Sequence, residues 1–153
     1  MITITDILLP GHIELDLQQT NHDEAILHVA NLLKDDQRVA DWPAFYEGLT
    51  ARPPTFAQAG DFEICIPHAR TNSVTSMIMG IGRSLEGIEI PGHAMKMRYI
   101  VVVGVPVACA AEYLRIVGAL ARIFKDPRSE AHLFTAKQPK TFLEILEEKD
   151  FTP

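Results

Sequence analysis

Apolar and polar residues alternate along Ile13-Glu14-Leu15-Asp16-Leu17, and a period of two predicts a half-buried strand. The period then changes. Ile26, Val29, Ala30 and Leu33 form an apolar stripe at helical spacing that ends near Lys34-Asp35-Asp36. Thr20-Asn21 offers a capping side chain for this helix, and Asp23-Glu24 put acid in its first turn, where the helix dipole favours it. A second helix is predicted over residues 41–50, stopping before Pro53-Pro54 because a residue ahead of proline avoids helical torsions. Residues 52–61 carry prolines, Gly60 and no period, and read as a loop. Ile64-Cys65-Ile66 predicts a short buried strand that ends at Pro67-His68. A longer strand follows over 74–83, with Met77, Met79 and Ile81 on one face. Gly87, Pro91 and Gly92 mark a turn region, and residues 97–105 are a near-continuous apolar run of the central-strand type.

The last third is helical. Residues 110–124 place Tyr113, Ile116, Val117, Leu120 and Phe124 on one stripe, with Glu112, Arg115, Arg122 and Lys125 elsewhere. Asp126-Pro127 is a cap followed by a first-turn proline, opening a short helix to about Phe134. Pro139 opens a terminal helix carrying Phe142, Leu143, Ile145 and Leu146. Strands separated by helices predict an α/β fold, a mixed β-sheet flanked by helices in a three-layer-like sandwich. With no repeat, low-complexity tract or linker, residues 1–153 read as a single domain.

Composition narrows the class. A chain of 153 residues, 47% hydrophobic and 22% charged, has enough apolar surface for a sizeable core. No apolar run reaches the ~20 residues that span a bilayer, and the first residues lack the pattern of a secretory signal. Fourteen basic against twenty acidic residues, a formal net charge of −6, argue against nucleic-acid binding held by general electrostatics. Cys65 and Cys109 both lie in apolar surroundings and read as reduced thiols of a cytoplasmic protein, although one pair could in principle form a disulfide.

The segment that changes this picture is Ile64-Cys65-Ile66-Pro67-His68-Ala69-Arg70. Pro67 fixes its own torsion and holds Ile66 extended, so His68 stands on a stiff support at the mouth of a strand. Arg70 lies two positions on, and Arg52 sixteen positions back. A neutral imidazole flanked by guanidinium groups suits a nucleophile that accepts and hands on a phosphoryl group while the arginines hold its anionic oxygens. The same residues also describe a strand-end histidine bonded to backbone, with both arginines solvated.

The motif is similar to the Ile-Ala-Ile-Pro-His-Ala-Arg of enzyme IIA domains of the fructose/mannitol class, from the bacterial phosphotransferase system. Read with the opening Ile4-Thr5-Asp6-Ile7-Leu8, it resembles the nitrogen-regulatory type. The resemblance extends over the chain, through residues 21–33 to Tyr113-Leu114-Arg115 and the Asp126-Pro127 cap. It implies the enzyme IIA fold and a cytoplasmic phosphocarrier that accepts a phosphoryl group on His68 from an HPr-type carrier. It also implies that Arg52 is the family's orienting arginine, with no metal or organic cofactor. The partners implied are that carrier and either a IIB domain or a regulated transporter or kinase, with no nucleic acid and no membrane insertion.

Two departures stand against the resemblance. The family's Gly-Ile-Gly-x-Gly ahead of the strand is here Ala59-Gly60-Asp61-Phe62-Glu63, which brings two carboxylates. In a straight strand Glu63 points away from the face of His68, whereas Asp61 is left unplaced. Many members also carry a second histidine where this chain has Tyr113. Tyr113 either donates a hydroxyl hydrogen bond to a phosphoryl oxygen or simply packs; it does not titrate near neutral pH. These departures motivate a second reading, a regulatory module that keeps the fold and binds a transporter or kinase without being phosphorylated. His12, His22 and His132 fall in turns or on polar helix faces, His28 lies off its stripe, and His93 sits in a turn. None pairs with cysteine at zinc spacing, so no metal site is expected.

Overall fold

The computed structural model describes residues 2–150. The centre of the sheet is β6 (Met97–Val105), the predicted apolar run, and its residues are buried on both faces. Beside it run β5 (Ile78–Ile88), antiparallel, and β3 (Phe62–Ile66), parallel. The outer strands are β1 (Leu8–Glu14), parallel to β5, and β2 (Thr55–Ala59), antiparallel to β3. The order is β1-β5-β6-β3-β2, and a short strand β4 (His68–Arg70) continues the line of β3 alongside β6. The sheet is mixed, as expected.

Side-chain alternation divides the sheet into two cores. Ile100 and Val102 of β6 face the helices α2 (His22–Asn31) and α3 (Trp42–Thr50), joining Val29, Leu33, Phe45 and Leu49. Tyr99, Val101 and Val103 face the other way. There they pack with Ile116 and Leu120 of α4 (Ala110–Lys125), Leu133 of α5 (Pro127–Thr135) and Phe142 of α6 (Pro139–Asp150). A single turn, α1 (Ile4–Ile7), contributes Ile4 and Ile7 to this second core. Met77, Met79 and Ile81 share one core, as their spacing predicted.

Helix starts follow the caps in the sequence. Asn21 accepts from the Glu24 N–H, Asp41 from that of Ala44 and Asp126 from that of Ser129. Gly80 and Gly82 mark where α2 lies close on β5: a Cβ on Gly82 would meet Val29 Cγ2 at 2.5 Å.

The structure corrects four expectations. Residues 52–61 are not all loop. Thr55–Ala59 pairs with Phe62–Ile66 in a hairpin, and the prolines precede the strand rather than interrupt it. Its turn is Gly60-Asp61, with Gly60 at φ 64°, a conformation that suits glycine. The first strand runs over Leu8–Glu14 rather than 13–17, because a register shift between Leu8 and Ile13 interrupts its pattern. The predicted 74–83 strand begins later and runs further, over Ile78–Ile88. His12 lies within β1, 3.7 Å from Asp36, not in a turn.

Candidate functional site

His68 stands where β3 gives way to β4. Pro67 has no N–H, but its carbonyl accepts from the Val103 N–H at 3.0 Å, so β6 steadies the chain across the break. β4 then pairs with β6, His68 opposite Val103 and Arg70 opposite Val105. Alternation sends Ala69 toward α3, in the core with Phe45, and His68 and Arg70 to the opposite face, the side of α4. β2 pairs with β3 only as far as Thr55 opposite Ile66, so it does not extend alongside β4. A cavity of about 870 Å³ opens here, lined by Arg52, Pro54, His68, Arg70, Val107 and Tyr113 among others. All four site residues singled out in the sequence line this one cavity.

The imidazole is oriented by its own strand. Nδ1 of His68 lies 3.1 Å from the carbonyl oxygen of Ile66. A carbonyl only accepts, so in the neutral ring the proton is on Nδ1 and the lone pair on Nε2. Half-buried, the ring stacks on Tyr113 with centroids 5.0 Å apart and planes inclined by 28°. Burial pushes the Tyr113 hydroxyl up to about 12, so it stays protonated at neutral pH. Arg70 donates from Nε to the carbonyl of Val107 at 3.2 Å, which leaves its terminal nitrogens for an anion. Arg52 arrives from the end of α3 and is exposed. Both arginines are exposed, and their side chains supply the donors that planar recognition of phosphate oxygens uses.

The two unexpected carboxylates do not reach this cavity's lining. Asp61 lies in the hairpin turn, ~16 Å along β3 from Ile66 at the usual strand rise. Glu63 lies on the strand face opposite His68, and its Oε2 is 2.7 Å from His93 Nδ1, a ring that also packs on Phe56.

Two lining residues were not foreseen. Val107 and Leu114 are exposed, Leu114 at 69%, and both stand on the rim of the cavity. In the sequence, Leu114 shows only as a leucine outside the stripe of α4. The turn ahead of α4 is tied to β4 and its following residues, since Asn72 Oδ1 also accepts from the Val107 N–H at 3.4 Å. No side chain caps α4, whose first N–H groups lie beside Ala110 at the cavity.

Elsewhere the chemistry is sparse. Both cysteines are free, and burial pushes the Cys65 thiol up to about 12. Among the described residues, no group of three His, Cys, Asp or Glu side chains is placed to hold a metal ion. Nor is any helix of these residues long and apolar enough to cross a membrane.

Comparison with known proteins shows the family and the fold. The family described as phosphoenolpyruvate-dependent sugar phosphotransferase system, EIIA 2, matches residues 6–149. The chain is similar to the fructose-specific EIIA component of the phosphotransferase system of Haloferax volcanii. The two are 29% identical over 147 residues, covering 95% of this chain and 94% of that protein. Among solved structures it is similar to the nitrogen regulatory protein IIA-Ntr from Neisseria meningitidis. That match has a TM-score of 0.80 and 24% identity over 94% of this chain and 98% of that one. It is also similar to a chain in the complex of enzyme IIA mannitol with phosphorylated enzyme IIB mannitol from Escherichia coli. There the TM-score is 0.76 with 16% identity, over 93% and 99% of the two chains. At these identities the likeness to solved structures is one of fold.

Proposed function

This chain belongs to the EIIA 2 family of the phosphoenolpyruvate-dependent sugar phosphotransferase system, and from that premise we propose that it is a cytoplasmic phosphocarrier whose acceptor is Nε2 of His68. The observation that carries the reading is the bond from Nδ1 to Ile66, which leaves the nucleophilic nitrogen free in a cavity shared with Arg52 and Arg70. The donor is an HPr-type carrier bearing a phosphohistidine. The recipient is a IIB component, or the phosphorylated state itself serves as a regulatory signal to a transporter or kinase. The fructose-specific name of the relative and the IIB partner in the complex support the carrier role. The chain acts as one IIA unit, consistent with a family match that runs over residues 6–149.

The step balances without a cofactor. The Nε2 lone pair of neutral His68 attacks phosphorus. The bond from phosphorus to the carrier's imidazolium breaks, and its electron pair returns to the carrier, which leaves as neutral imidazole. His68 becomes a phosphoimidazolium that keeps its Nδ1 proton on the Ile66 carbonyl, so no proton is released. The Ile66 bond becomes charge-assisted as positive charge develops on the ring. Arg52 and Arg70 neutralise the transferring oxygens, the electrostatic work on which phosphoryl transfer depends. Tyr113 lines the same cavity and lies against the imidazole through its ring.

Incubation with phosphoenolpyruvate, enzyme I and an HPr-type carrier tests the proposal. The expected product is an acid-labile phosphoryl adduct that His68→Ala abolishes while circular dichroism is unchanged. Absence of the adduct on the native chain with several competent carriers leaves the unphosphorylated binding module as the surviving reading.

A further inference from the structure

We infer that Tyr113 is a positioning residue for phosphoryl transfer: its ring, rather than its hydroxyl, holds the imidazole of His68 with Nε2 directed into the cavity. The inference rests on His68 as the acceptor and adds how its ring is kept in place.

Two contacts from different elements act on the ring, and they restrain different motions. The Nδ1 bond to Ile66, 3.1 Å long, comes from the histidine's own strand and fixes one corner of the ring. A single hydrogen bond leaves the plane free to tilt about that corner, since bonding geometry at a carbonyl oxygen is broad. The plane is fixed from α4. Tyr113 lies against it at 5.0 Å between centroids, 28° from parallel, within the separation at which aromatic rings gain from contact.

The tyrosine is itself well supported. It packs against the core that holds Ile116 and Leu120 of the same helix. The turn before that helix is tied back to the strand of His68, because Arg70 donates to the Val107 carbonyl. Arg70 therefore links the two elements that clamp the imidazole, besides facing the ligand. The hydroxyl has no comparable engagement, for burial is the sole cause of its raised titration and no hydrogen bond contributes.

Stacking also responds to the reaction. The face of a phenol ring carries negative quadrupolar charge, and imidazole becomes cationic as phosphorus arrives. The contact is therefore stronger in the product than in the neutral ring, while contributing no second group that titrates near neutrality. Histidine at this position would stack as well but would bring a second proton site beside the first.

Two substitutions separate ring from hydroxyl. Tyr113→Phe keeps the stack and removes the hydroxyl; Tyr113→Leu keeps apolar bulk and removes the stack. Phosphoryl transfer from the phosphorylated HPr-type carrier is followed by rapid quench. The ¹⁵N resonances of His68 are read separately on the unphosphorylated protein. Tyr113→Phe is expected within about twofold of the native turnover and with the same Nδ1–H tautomer. Tyr113→Leu is expected to lose about tenfold to hundredfold in turnover, the scale of a small misplacement of a reacting group. Its half-saturating carrier concentration should be unchanged and its ring resonances shifted toward a mixture of tautomers. Equal losses in both variants assign the role to the hydroxyl and overturn the inference. So do native ring resonances, or native turnover, in Tyr113→Leu. His68→Ala is run in parallel: an adduct that survives it removes the acceptor assignment, whereas the ring resonances still decide the positioning claim without any transfer.

Discussion

At the scale of single residues, the site is built from side chains with unequal holds. His68 is fixed by a backbone carbonyl and a stacked ring, and Arg70 by the Val107 carbonyl. Arg52 is exposed at the end of α3. Such a residue contributes charge and donors once an anion is present, and little to the unliganded fold. Arg52→Ala is therefore expected to slow transfer to His68 by about ten- to a hundredfold, the range for removing one preorganised donor or a modest part of it. The melting temperature should move by no more than the small amount usual for exposed positions. Single-turnover transfer and thermal unfolding on the same preparation check both halves. Native transfer kinetics would remove Arg52 from the site. His68 and Arg70 were legible as candidates in a proline-stiffened local motif and Arg52 through the family resemblance, and the structure brings all three to one cavity. That Tyr113 touches His68 was not legible, since the contact joins residues 45 positions apart on different elements and depends on how α4 docks.

Elements show the same division between local and non-local information. Helix α2 announced itself through its cap and stripe, α5 through its cap, α3 through its stop before Pro53-Pro54, and β6 through an apolar run long enough to be covered on both faces. β2 did not. It is an edge strand with a weak burial pattern, and its partner β3 across the Gly60-Asp61 turn supplies the order that its own sequence lacks. α1 is one turn, too short for a period to register, and β1 is interrupted by its register shift. The glycines of β5 lie under α2, and their surroundings say what each would admit. A Cβ on Gly82 falls 2.5 Å from Val29 and 2.7 Å from Leu17, whereas one on Gly80 meets Leu33 at an ordinary 3.5 Å. Gly82→Ala should thus destabilise by about 1–3 kcal/mol through overpacking under α2. Gly80→Ala should cost appreciably less. Urea unfolding of the pair measures the difference, and equal losses would contradict the close approach at Gly82.

For the molecule as a whole, polar side chains tie separate elements together. One of them sets an acid limit. Asp36, at the end of the α2 segment, accepts from Arg38 at 2.8 Å, and Arg38 also reaches toward the carbonyls of Ile7 and Met77, on either side of the β1–β5 edge. The Arg38 bonds hold the Asp36 carboxyl at about 2 against an ordinary 3.8. A lowered folded-state value stabilises the fold above the ordinary value, and the contribution fades as pH falls from about 4 toward 2. Its size is about 2 kcal/mol. Asp36→Asn should lower stability by roughly that amount at pH 6 and by much less at pH 2.5, measured by urea titration at each pH. A constant deficit at both would show that the carboxylate's charge is not what matters. The excess of acid in the sequence foretold none of this, because net charge says nothing of which carboxylates have partners.

The placing of the imidazole's anchor has a consequence for timing. The acceptor for Nδ1 is the chain's own carbonyl two residues back, on a strand braced by β6. The tautomer of the neutral ring is thus set by a short stretch of backbone for as long as the ring plane is held against it. On the proposed role of His68 as acceptor, the proton of the neutral ring already lies on the nitrogen that keeps it, so no exchange of tautomers has to precede attack.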